Sequence, residues 1–266
     1  MVFAHLVQIS MKPSAGIILW ACLFVAGPAS ADQSLQQAAS DPTAALMNVQ
    51  LGDWYNDFHN LTSEGANQVN LRAALPFKIG EQQHIMRATV PLITNSPFTD
   101  RGVSDATIFD LMTYSASWGR WGAGVVGLLP TGGEDRGAEK WGLGPAIGFT
   151  AAGPGFLWGL FNQNIFTVAG EDDREDVNVS VVQPIVSKSL GNGWSVGVSE
   201  MNATYDWEQS EWVSLPLGVK ITKLHKLGQL PIQFNAQYEY NFADDSLGSP
   251  RQTFRLTAKF IFPSIF

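Results

Sequence analysis

From Leu230 to Phe242 the chain alternates strictly. Even positions carry Leu, Ile, Phe, Ala, Tyr, Tyr and Phe; odd positions carry Pro, Gln, Asn, Gln, Glu and Asn. The same period recurs near the end, where Phe254, Leu256, Ala258, Phe260 and Phe262 oppose Thr253, Arg255, Thr257 and Lys259. Earlier, Val69, Leu71, Ala73, Leu75 and Phe77 oppose Asn70 and Arg72. Successive side chains of a strand project to opposite faces, so each segment is a strand with one greasy and one polar side. Read this way, the chain yields about twelve strands, over 45–57, 67–77, 83–93, 103–117, 119–130, 140–151, 155–168, 176–190, 193–206, 210–223, 229–243 and 250–262. Most exceed the roughly 5–6 residues of globular strands and suit the roughly 9–11 that cross a bilayer at a tilt. After residue 31 no apolar run reaches the length of a transmembrane helix.

A soluble β-sandwich alternates too, and the connections separate the two readings. One set is short: 78–82, 118–119, 152–154, 190–193 and 224–228. The other is mostly longer: 58–66, 94–102, 131–139, 169–175, 207–209 and 244–249. A meander threading a membrane produces this rhythm. Charge follows it. Most of the 24 acidic residues, from Glu64 and Asp100 through Glu134, Asp135 and the run Glu171–Asp176 to Asp244 and Asp245, fall at the long-loop end. Glu81 alone lies in a short turn, where Lys78, Lys223, His225 and Lys226 also gather. The expected fold is therefore all-β: a closed, antiparallel, up-and-down transmembrane β-barrel of about 12 strands. An even count puts both termini at the short-turn end, the periplasmic end of such barrels.

Composition sharpens this picture. Only 15% of residues are charged against 45% hydrophobic, below the roughly 25% charged of soluble domains, as expected if lipid covers much of the surface. Sixteen bases against 24 acids, a net charge of −8, exclude a nucleic-acid partner, whose phosphates call for a basic face. Residues 1–31 read as a secretory signal with a possible true start at Met11: Lys12, an apolar run from Ala15 to Gly27, then Ala29-Ser30-Ala31, with cleavage expected after Ala31. The single cysteine, Cys22, lies in that run, so no disulfide framework or common zinc cluster is expected. A lipoprotein reading of Cys22 is weakened by the apolar residues that continue past it. A short N-terminal periplasmic segment (32–44) would then precede the barrel (45–266).

Polar members of the alternating strands are the candidate lumen lining: Asn70, Arg72, Arg87, Asn162, Asn164, Asn178, Ser180, Glu200, Asn202, Gln233, Asn235, Gln237, Glu239, Arg255, Thr257 and Lys259. Tryptophans near strand ends, Trp54, Trp118, Trp121, Trp141, Trp158, Trp194, Trp207 and Trp212, are candidates for aromatic girdles at the membrane interfaces. Glycine-rich stretches at 122–127 and 142–148 would let a closed sheet bend. No cofactor is expected. A barrel hydrolase would need a Ser and His pair; His59 near Ser63 is the one candidate, without a hydrolase motif around it. The acidic run 171–176 lacks EF-hand spacing, so no metal site is assigned.

Several segments together resemble a known family: Asp41–Asn60, Leu129-Pro-Thr-Gly with Lys140-Trp-Gly-Leu-Gly-Pro145, Ala169–Asn178, Gln183-Pro184, Leu215-Pro-Leu-Gly218 and the Phe260-Ile-Phe-Pro263 ending. These resemble bacterial outer-membrane proteins labelled "transporter" or "neuromedin U", similar to proteins associated with the meta-pathway of phenol degradation. The resemblance implies an outer-membrane barrel passing small molecules, with hydrophobic or aromatic ones as candidates, in a Gram-negative bacterium. It implies no catalytic residues, so the chain is expected not to be an enzyme. The alternative is a plugged structural barrel without transport; a soluble periplasmic β-protein and a barrel lipid hydrolase stand further off. Expected partners are outer-membrane lipid and lipopolysaccharide, and the barrel assembly machinery, which would read Phe266. The family usually stops soon after Phe-Pro; here Ser264-Ile-Phe266 follows.

Overall fold

A computed structural model describes residues 35–58, 62, 64–243 and 249–263. The expected signal segment, His59, Ser63 and Phe266 lie outside these residues. Twelve strands cross the molecule: β1 Met47–Asp57, β2 Gly65–Ile79, β3 Gln82–Asn95, β4 Ala106–Ala116, β5 Gly119–Leu129, β6 Lys140–Gly153, β7 Phe156–Gly170, β8 Val179–Gly191, β9 in two pieces (Trp194–Val198 and Ala203–Asp206), β10 in two pieces (Glu211–Ser214 and Pro216–Leu227), β11 Leu230–Asn241 and β12 Gln252–Phe262. Each pairs antiparallel with its sequence neighbour. The sheet closes where β1 meets β12, in register from Met47 opposite Phe262 to Asp57 opposite Gln252. The result is a closed antiparallel barrel of twelve strands. The fourth strand starts later than the alternation suggested, because Gly102–Val103 turns back to pair with Ile93 and Leu92 of β3.

Which face is buried decides between a barrel and a sandwich. Along β11 the buried residues are mainly polar: Gln233, Asn235, Gln237, Glu239 and Asn241 are inside, while Phe234 and Tyr238 are exposed. On the neighbouring strands Leu217, Val219 and Leu256 are each at least 60% exposed, whereas Gln233 is 1% and Glu239 3% exposed. A soluble domain buries its apolar face. This inversion is that of a membrane barrel, whose apolar band faces lipid and whose interior is polar.

The inversion does not run all the way round. In β4 to β8 the inward positions carry Phe109, Leu111, Val126, Leu128, Ala146, Leu157, Phe161, Ile165 and Ile185, which pack as one cluster. Here much of the barrel is apolar on both faces. Glycines permit tight closure on this side. A Cβ on Gly124 would strike the Asp110 carbonyl, and one on Gly144 the Asn164 carbonyl. The barrel interior thus has a packed apolar wall (β4–β8) facing a polar, charged wall (β9–β12 and β1–β3).

Candidate functional site: a plugged lumen with one charged wall

The charged wall owes its geometry to a break in β9. After Val198 the ladder stops, and Ser199–Asn202 dips into the lumen before the strand resumes at Ala203. Interior side chains satisfy the freed backbone. The Glu200 amide donates to Gln237 Oε1 (2.8 Å), and Arg255 Nη1 donates to the Glu200 carbonyl (2.9 Å). Buried backbone groups need such partners when a ladder is interrupted. The break carries the Glu200 side chain across to β2, where it pairs with Arg72 at 2.5 Å. One level on, Arg255 pairs with Glu239 at 2.8 Å. Trp54 of β1 lies between the two arginines, with guanidinium carbons 5.0 Å (Arg72) and 4.2 Å (Arg255) from its ring centroid. These groups form a constriction.

Beyond the constriction, toward the long-loop end, opens a vestibule of about 430 Å³, lined by Trp54, Asn56, Gln68, Asn202, Thr204, Glu239, Thr253 and Arg255 among others. On its other side lies a smaller chamber of about 80 Å³, bounded by Arg72, Arg87, Glu200, Lys220 and Lys259 and, on the apolar side, by Ile85, Phe109 and Ile185. Five cationic side chains, Arg72, Arg87, Lys220, Arg255 and Lys259, here gather around the carboxylates Glu200 and Glu239, with Asp41 at the plugged end of the chamber and Asp206 at the rim of the vestibule.

The N-terminal segment closes the chamber at the short-turn end. Residues 32–44 are expected from the sequence as a short periplasmic segment preceding the barrel; the described part, from Leu35 on, folds into its mouth. A single helical turn, Leu35–Ala38, is followed by buried Ala39, Asp41, Thr43 and Ala44. Asp41 Oδ1 accepts from the amide (2.8 Å) and hydroxyl (2.6 Å) of Thr43, folding the segment on itself. It is tied to opposite walls. Gln37 Nε2 donates to the carbonyls of Gly153 and Phe156 (3.0 and 3.2 Å), Thr43 meets Thr150 hydroxyl to hydroxyl at 3.0 Å, Asp41 lies 3.7 Å from Arg120, and Lys259 Nζ donates to the Ala39 carbonyl at 2.6 Å.

Of the residues singled out as lumen lining, Asn70, Arg72, Arg87, Glu200, Asn202, Gln233, Asn235, Gln237, Glu239, Arg255, Thr257 and Lys259 lie on interior-facing positions. Asn162, Asn164 and Ser180 do not. In β7 the inward residues are Leu157, Phe161 and Ile165, so the asparagines face outward, with Asn162 opposite the 55% exposed Ile147. There they form a polar ladder: Asn164 Nδ2 donates to Asn162 Oδ1 (2.7 Å) and the Pro145 carbonyl (3.2 Å), Ser180 Oγ donates to Asn164 Oδ1 (2.6 Å), and Trp207 Nε1 donates to Ser180 Oγ (2.9 Å). Asn178 sits at the long-loop rim, bonded to Glu208 and the Thr167 amide. The physical reason is the apolar interior of this half, which leaves polar side chains only the outer face.

Trp54 is likewise no girdle residue, since it faces the interior between two arginines. Trp118, Trp121, Trp158 and Trp194 are exposed at the short-turn end, and Trp141, Trp207 and Trp212 at the other. They pack with partners: Tyr114 stacks on Trp121 (4.4 Å), and Tyr205 contacts both Trp207 and Trp212. The acidic run 171–176 is tied down by ion pairs, Asp176 to Lys140 (3.1 Å) and Arg174 to Glu139 (3.5 Å). His84 bonds Asp110 at 2.8 Å on the outer face, stacked on Phe77. Sequence reasoning passed over Gln237 as the cap of the Glu200 amide, and over Lys220 and Thr43. For Lys220 the even-numbered inward phase of β10, shared with Thr222, was the available signal.

Among solved structures the chain is similar to the NanC porin, with 11% identity, a TM-score of 0.53, and coverage of 82% of this chain and 99% of that one. This likeness supports the porin-type barrel fold. The outer membrane phospholipase A from Escherichia coli is also similar, at 10% identity, a TM-score of 0.44, and coverage of 83% and 91%. No protein-family model matches the chain, and no curated protein matches it in sequence.

Proposed function

We propose that the protein is a channel for small solutes in the outer membrane of a Gram-negative bacterium. In this reading its short-turn mouth faces the periplasm and is closed by its own residues 35–46, and the channel conducts when that segment withdraws. The supporting observation is the asymmetric interior: a barrel built only for stability can be filled by apolar side chains, as β4–β8 are, yet the opposite wall holds charged residues around a vestibule. Rings of charged side chains are how pores select what passes. The plug is held by a handful of hydrogen bonds and one ion pair rather than by an apolar core, as a removable element requires.

A second reading, a closed structural barrel, is favoured by the Arg72–Glu200 and Arg255–Glu239 pairs, which narrow the lumen. Catalysis is not assigned: His84 is engaged with Asp110 on the outer face, and His59 lies outside the described residues. Lipid, lipopolysaccharide and the barrel assembly machinery are the partners this reading implies. The test is conductance in planar bilayers of the intact protein and of a variant lacking residues 35–44. The channel reading expects intermittent or small currents from the intact protein and severalfold larger ones from the deletion variant. A correctly folded deletion variant that stays silent would establish the closed structural barrel instead.

A further inference from the structure

The chamber between the plug and the constriction carries more positive charge than the protein neutralises. Arg72 is matched by Glu200, Arg255 by Glu239, and Lys259 donates to the Ala39 carbonyl. Arg87 and Lys220 have no hydrogen bond or ion pair among the described residues, and the Nε of Arg87 is buried without an acceptor. The Arg87 guanidinium lies 4.3 Å from the centroid of the Phe109 ring, which supports the cation but offers no hydrogen-bond acceptor. Arg87 and Lys220 both border the same chamber, as do Ile85 and Ile185. Unpaired cations withdrawn from bulk water are costly unless an anion joins them.

We infer that this chamber is a binding site for a small organic monocarboxylate, whose carboxylate sits between Arg87 and Lys220 and whose apolar part lies against Ile85, Phe109 and Ile185. A carboxylate matches the planar fork of an arginine through two parallel hydrogen bonds, and the lysine ammonium adds a compact second charge. The volume of about 80 Å³ suits a head group with a short tail and excludes a large solute while the plug is in place. Two carboxylates explain why an apolar tail is preferred to a second charge: Glu200 and Asp41 both border the chamber, and a dianion would meet them. This site deepens the channel reading, which supplies the solute's route; binding itself is measured without flux.

Butyrate and its uncharged isostere butanamide are titrated calorimetrically into the purified protein, with and without residues 35–44. Saturable heat with butyrate and none with butanamide is expected. The double variant Arg87→Gln/Lys220→Gln should weaken butyrate binding at least tenfold. Arg87→Lys keeps the charge but loses the fork, and should weaken it less. Lys223→Gln, outside the lumen over Trp194, should leave it unchanged. Each variant's fold is checked by its β-sheet circular dichroism. Absence of saturable binding in both chain lengths, equal binding of butanamide, or full binding in the double variant would overturn the site. Bilayer currents separate the two proposals: conductance without butyrate binding overturns the carboxylate site alone, and butyrate binding without conductance supports the site while overturning the channel.

Discussion

The two walls of the barrel obey different rules. From β4 to β8 the inward face is Phe109, Leu111, Val126, Phe161 and their neighbours, with Leu111 and Val126 fully buried. From β9 through β3 it is mainly glutamine, asparagine, arginine, lysine and glutamate, with Ile85 and Ile261 among them. The outward face is mostly apolar on both walls, with Leu143, Ile147, Val219 and Leu256 each more than half exposed, and the Asn162–Asn164–Ser180 ladder is a polar exception. A strand in the first wall is therefore apolar on its inner face and along much of its outer face, and one in the second alternates. The difference assigns separate tasks: the packed wall gives the barrel rigidity through close contact, and the charged wall makes a vestibule, a constriction and a chamber.

Substitutions on each wall test that division, and the largest effects belong to the packed one. Phe161→Ala removes a ring from the middle of the apolar cluster and should cost about 3–5 kcal/mol of folding stability, read from urea unfolding in detergent or lipid. Single-channel selectivity should barely move. If the variant changes selectivity while remaining stable, the packed wall is also a path. Glu200→Gln attacks the other wall. It leaves Arg72 without its carboxylate, and the loss of one member of a buried pair costs about 3–5 kcal/mol. Unlike Phe161→Ala, it should also shift the reversal potential in a salt gradient toward anions; an unchanged potential would detach Glu200 from the conduction path.

Trp54→Leu removes the ring that spaces Arg72 and Arg255. Two cation–π contacts of about 0.5–2 kcal/mol each should be lost, with a widened constriction visible as a higher unit conductance. Smallest is Asn164→Leu. Its side chain faces outward, so conductance should stay unchanged, and stability should fall by about 1 kcal/mol for the hydrogen bonds given up. A change in unit conductance would place that side chain in the lumen after all.

The contrast also explains what the sequence could reveal. In β11 and β12 the apolar residues mostly point out of the barrel and the polar ones into it, so the pattern shows both the strand and its orientation. The rhythm of short and long connections and the clustering of acids at one end need no side-chain detail, and they were readable throughout. In β7 the same logic misplaced Asn162 and Asn164, since polar-inward is valid only where the interior is polar. Trp54 was misread for a related reason: an indole near a strand end suits a membrane interface, but two inward arginines offered it a stronger partner. The break at Ser199–Asn202 left no local signal, because its backbone is satisfied by Gln237 and Arg255, far away in sequence. The plug was equally hidden; its ties to Gly153, Thr150 and Lys259 are all long-range.

The segment from Leu35 to Leu46 is the element whose movement would govern passage. The chain's one cysteine, Cys22, lies in the expected signal segment, so an introduced pair would stand alone in the protein from Asp32 onward. Thr43 and Thr150 meet hydroxyl to hydroxyl at 3.0 Å, so cysteines at these positions in the double variant Thr43→Cys/Thr150→Cys face each other and are the pair to crosslink by oxidation. Bilayer currents of that variant should be abolished under oxidising conditions and return when the bond is reduced. Equal currents in both states, with the disulfide verified by mass spectrometry, would contradict the gated channel.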